Sequence, residues 1–170
     1  MANFRALSKS TVRCDKLMGP YPRPAKKHET GGAMPQYMLL VYEEEVDEAE
    51  QAEREATTPM LLELHRGLRE AGVLVGVQRL RSSETATAVR VREGKTEITD
   101  GPFAVTKEIL AGYYVLDCAD LDEALEQAAR APMARRATIE VRPVVAAGEW
   151  LDLARRAGAD VPDAAVEDLA

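Results

Sequence analysis

Apolar and polar positions change period several times along the chain, and each change predicts an element. Residues 37–42 form a short run of Tyr, Met, Leu and Val that predicts a first strand. The acidic cluster after it, residues 43–55, is expected to be a solvated stretch at the domain edge. Thr58 before Pro59 predicts a helix start with proline at its first position. Met60, Leu61, Leu64, Leu68 and Ala71 then recur at helical spacing until Gly72 stops the helix. Residues 73–80 and 85–92 predict strands, the second alternating Ala86, Ala88 and Arg90 against Thr87, Val89 and Val91. Glu93, Gly94 and Lys95 are expected to turn the chain into residues 96–99, giving a meander with a hairpin. Residues 112–118 predict another strand and Asp120 an N-cap. Leu121, Ala124, Leu125 and Ala128 follow as the apolar face of a second helix that ends near Pro132. Residues 138–144 predict the closing strand, and Trp150, Leu151 and Leu153 a short helix after it.

The predicted order is β-α-β-β-(β)-β-α-β, an α+β chain whose two helices can cover only one face of an antiparallel sheet. The other face calls for a partner. Length is consistent with one domain, expected over residues 34–146. Residues 1–33 hold Pro20, Pro22, Pro24, Gly19, Gly31 and Gly32 without an apolar period, and are expected to be a disordered basic leader. Residues 147–170 are expected to be a short helix and an acidic tail.

Net charge is −7, unevenly spread. Residues 1–36 carry seven Lys/Arg against Asp15 and Glu29, for +5, leaving −12 for the rest. An acidic body repels phosphate backbones and the basic arm lacks interleaved aromatics, so nucleic acid is not an expected partner. The apolar runs are too short to span a bilayer, and membrane insertion is not expected either. Two cysteines, Cys14 and Cys118, make no disulfide framework; Cys118 is expected to be a small buried hydrophobe, and a reducing cytoplasm fits. Neither paired cysteines nor a second domain histidine stands at metal-ligand spacing, and no glycine-rich phosphate loop is present, so neither metal nor cofactor is expected.

The most informative stretch is residues 99–114, Thr-Asp-Gly-Pro-Phe-Ala-Val-Thr-Lys-Glu-Ile-Leu-Ala-Gly-Tyr-Tyr, where an acid at a Gly-Pro turn precedes a polar segment and two tyrosines. It resembles the signature of the YCII-related, DGPF-type proteins, with similarity running from about Pro35 to Val144. The resemblance implies a ferredoxin-like domain whose exposed sheet face packs against a second copy, forming a homodimeric α+β barrel. Two departures stand out. Val105 occupies a position where relatives commonly have Glu, and Ala131 one where many have His.

Asp100, held in the tight Asp-Gly-Pro-Phe turn, is either a functional carboxylate or a plain turn former bonded to its own backbone. His65, the domain's sole imidazole, is suited to moving a proton near neutral pH. The resemblance implies that His65 and Asp100 could act as a proton-transfer couple, Asp100 orienting the ring that serves as acid or base. Lys107, Tyr113, Tyr114 and Arg142 are candidates for binding a substrate; strand alternation puts one tyrosine inward and the other outward. Two functions remain open: a cofactor-independent lyase or isomerase acting on a small organic substrate, and a non-catalytic ligand-binding or transcription-regulatory module.

Overall fold

The computed structural model describes residues 34–46, 48–104 and 106–161. The chain runs β1 (Gln36–Glu44), α1 (Glu48–Glu55), α2 (Thr58–Glu70), β2 (Leu74–Arg79), β3 (Thr87–Arg92), β4 (Lys95–Asp100), β5 (Glu108–Asp117), α3 (Leu121–Arg130), β6 (Thr138–Pro143) and α4 (Ala147–Arg156). The expected leader over residues 1–33, Val105 and the tail beyond residue 161 lie outside the described residues.

Four strands form an antiparallel sheet in the order β2-β5-β1-β6. Two β-α-β units interleave in this order, which is the ferredoxin-like arrangement expected from the sequence. Strand alternation sends Tyr37, Leu39 and Val41 of β1 and Tyr114 and Leu116 of β5 to one face. There they meet Leu64 and Leu68 of α2 and Ala124 and Ala128 of α3 in a single core. Leu116, Val73 and Cys118 are fully buried. Burial pushes the Cys118 thiol up to about 12, helped by nearby Glu123, so it packs as a hydrophobe and is no nucleophile.

Local chemistry sets the helix ends. Proline in the first turn starts α2, and Gly72 follows it at φ 72, a left-handed position that glycine adopts without cost. Asp120 caps α3 by accepting from the Glu123 amide at 2.9 Å, and the Glu123 carboxylate accepts in return from the Ala119 amide at 2.6 Å.

Three expectations need correction. The acidic stretch after β1 is not a simple solvated connection: it contains α1, anchored by Arg54, which donates to Glu43 at 3.1 Å and to the Glu44 carbonyl at 3.0 Å. The residues expected to continue the sheet as a meander form a separate two-stranded ribbon, β3–β4, whose Val89, Val91 and Ile98 are exposed. On α3, Leu121 and Leu125 are exposed, and Gln127, 2% exposed, takes the inward position instead. Among the described residues no helix is long and apolar enough to cross a membrane.

Candidate functional site

Leu64 and Leu68 seat α2 on the sheet, and His65 beside them reaches the rim of the core half-buried. Its Nε2 lies 3.0 Å from the Tyr114 hydroxyl, and the two rings are tilted by 59° with centroids 5.6 Å apart. Tyr114 stands on the helix-facing side of β5 and Tyr113 on the opposite face, as alternation requires. Burial, and secondarily the positive charge of Arg69, lower the pKa of His65 from its ordinary value of 6.5. The neutral form of the ring, with one nitrogen free of a proton, is therefore favoured at pH 7.

The pair lines a cavity of about 210 Å³ between α2 and the sheet. Val41, Leu61, Val77 and Met133 provide apolar walls, and Glu43, Arg79 and Arg136 bring charge to it. Glu43 lies on the same face of β1 as Leu39 and Val41, with its side chain only 12% exposed. Arg54 holds one of its carboxylate oxygens at 3.1 Å and Arg136 the other at 3.8 Å. At the cavity floor Gly112 lets β5 approach β2 closely, because a Cβ there would lie 2.6 Å from the Gln78 carbonyl oxygen.

Tyr113 also lines the cavity, whereas Asp100, Lys107 and Arg142 lie elsewhere. Asp100 is exposed at the end of β4, opposite Thr87, and does not line the cavity of His65. The Asp-Gly-Pro-Phe turn is pinned to its own ribbon: the Gly101 amide donates to the Ala86 carbonyl at 2.8 Å, and Arg90 sits 5.2 Å over the Phe103 ring. The partner that the structure gives His65 is thus Tyr114. Lys107 is exposed and pairs with Glu44 at 3.2 Å. Arg142 pairs with Glu140 on β6, opposite Met38 in register and on the face away from the helices. Ala131 is buried in the core.

Sequence reasoning did not single out Glu43, Arg54, Arg79 or Arg136. Glu43 carried a usable signal, since it continues the inward parity of Tyr37, Leu39 and Val41. Arg79 carried none, because a β-bulge between Leu74 and Gly76 resets the facing of β2. Among the described residues no group of three or more His, Cys, Asp or Glu could hold a metal ion.

Compared with known protein families, the chain matches the YCII-related domain over residues 35–150. It belongs to that family. An uncharacterized protein of Rhizobium meliloti is 40% identical over 112 residues, covering 64% of this chain and 90% of the relative. The matched range contains every wall of the YCII-related domain's cavity described above, and it takes in the first residues of α4 as well as the sheet.

Proposed function

We propose that this YCII-related protein is a cofactor-independent proton-transfer enzyme, of lyase or isomerase type, working on a small carbonyl compound in the cytoplasm. The observation that carries the reading is an imidazole within hydrogen-bond distance of a phenol inside a small, mostly apolar cavity, where burial lowers the imidazole's pKa. Nε2 and the tyrosine hydroxyl lie 3.0 Å apart, close enough for both to reach one H–C–C=O unit. His65 takes the proton from the carbon. The electron pair moves onto the carbonyl oxygen, and Tyr114 turns its O–H to stabilise that oxygen. Return of the proton at a neighbouring carbon completes an isomerisation; expulsion of a β-substituent completes an elimination.

The test is deuterium incorporation, followed by NMR, when the full chain is incubated in D₂O with a set of small carbonyl compounds. Carbon-bound exchange by the wild type that disappears in His65→Ala is the expected result. Binding without exchange for every compound favours the ligand-binding module.

The working unit is a dimer. Met38, Leu40 and Tyr42 of β1 and Tyr113 and Val115 of β5 form the sheet face away from the helices, and they are only half-buried in a single copy. A second copy laid on this face is the occupant implied by the family's barrel. Sedimentation at micromolar concentration is expected to show a dimer burying roughly 1,200 Å² or more. A stable monomer overturns it.

A further inference from the structure

We infer that the cavity beside His65 recognises a carboxylate, and that Arg79 is the residue that binds it. This names a substrate class for the site proposed above, and it rests on that reading only for what happens at His65.

Glu43 is the carboxylate among the cavity's lining residues, and it is already held from both oxygens by Arg54 and Arg136. Arg79, the last residue of β2, lines the same cavity and forms no ion pair or hydrogen bond with a side chain among the described residues. Besides Glu43, four acids line the adjoining outer cleft with Arg79: Glu44, Glu45, Glu55 and Glu84. Glu44 is taken by Lys107, Glu45 accepts from Ser83, Glu55 accepts from Gln51 at 3.3 Å, and Glu84 does not pair with Arg79. A guanidinium stays charged at any physiological pH. Arg79 is exposed, so the mouth of the cavity has an uncommitted cation in a chain whose net charge is −7.

Apolar walls beside one free guanidinium describe a particular ligand. It has a compact hydrocarbon body, which Val41, Leu61, Val77 and Met133 accept, and one anionic end. A carboxylate suits a single guanidinium, whose two parallel N–H groups match its two oxygens. A phosphate suits it less. Its second charge would meet Glu43, and the sequence contains no glycine-rich loop to supply backbone amides. Arg79 is paired in register with Gly112, two residues before Tyr114 on β5, so a carboxylate on Arg79 directs the adjoining carbons toward the His65–Tyr114 pair.

The experiment is calorimetric titration of the full chain with matched probes: benzoate against benzamide, and phenylpyruvate against its methyl ester, with inorganic phosphate as competitor. Each acid is expected to bind at least about tenfold more tightly than its neutral partner. Arg79→Gln should erase the difference while leaving the neutral probes unchanged, and Arg79→Lys should restore part of it. His65→Ala should keep the preference. Equal affinities within each pair, a preference that survives Arg79→Gln, absence of binding by all four probes, or stronger competition by phosphate than by benzoate overturns the inference. The two readings fail separately. Carboxylate preference without deuterium exchange sinks the proton-transfer function alone, and exchange with no carboxylate preference sinks the Arg79 assignment alone.

Discussion

Replacing Gly112 with alanine is expected to lower the melting temperature by about 10 °C, corresponding to about 3 kcal/mol for a domain of this size. The new Cβ would lie 2.6 Å from the Gln78 carbonyl oxygen and 3.3 Å from the Arg79 Cα. Both are main-chain atoms, so no rotamer change relieves the contact. The strands must part at a point where Gly112 also pairs with Val41 of β1. Gly76 supplies the comparison on the facing strand, β2: a Cβ there meets nothing within 4 Å, and its φ is not positive. Gly76→Ala is expected to change the melting temperature by less than about 2 °C, or to raise it slightly by narrowing the unfolded ensemble. Thermal unfolding followed by circular dichroism measures both. If Gly112→Ala melts with the wild type, the close approach of β2 and β5 is not what this glycine is for. Because Arg79 moves with β2, Gly112→Ala should also weaken the carboxylate preference of the cavity.

Much of this architecture was legible in the sequence because local signals and burial agree. The inward parity of Tyr37, Leu39 and Val41, the proline that starts α2, the glycine that ends it and the Asp120 cap are each read from a few neighbouring residues. The misplaced parts depend on contacts between distant residues. The stretch that becomes α1 looks solvated by composition, and its anchoring shows only once Arg54 is seen to reach Glu43 on β1. Leu121 and Leu125 satisfy a helical period, yet the rotation of α3 against the sheet selects Ala124, Gln127 and Ala128 for burial. Alternation cannot decide whether a hairpin joins the main sheet, and β3–β4 stands apart from it.

The site shows the same division. His65 and Tyr114 were each legible as candidates from residue type and position. Their pairing was not, since it spans 49 positions and depends on where α2 crosses β5. The motif that carried the family resemblance was a better guide to relationship than to the imidazole's partner. Asp-Gly-Pro-Phe is a strong turn signal, and here its hydrogen bond and ring contact serve the ribbon.

His65→Ala is expected to lower kcat by about 10²- to 10⁴-fold, the usual contribution of a positioned general base, with the fold preserved because the ring lies at the core's rim. Tyr114→Phe keeps the packing and removes the hydroxyl that, in the proposed reaction, steadies the developing negative oxygen, with an expected loss of about 10²-fold. The double variant should be little worse than His65→Ala, because the two side chains act on one transition state. The pH dependence gives an independent check. Burial first, then Arg69, hold the imidazole's pKa below 6.5, so the base is already unprotonated at neutrality. The expected profile of kcat/KM rises with pH to an inflection below 6.5 and is flat from there through neutrality. Arg69→Gln removes the smaller cause and moves the inflection upward. Stability follows the same sign: the unfolded chain takes up this proton near pH 6.5, the folded chain only at lower pH. His65 therefore contributes stability above pH 6.5 that is lost as the pH falls toward its folded value, and His65→Gln removes that part of the slope. An inflection at or above 6.5 that Arg69→Gln does not move, together with an unchanged stability slope in His65→Gln, would assign the titrating base to some other group.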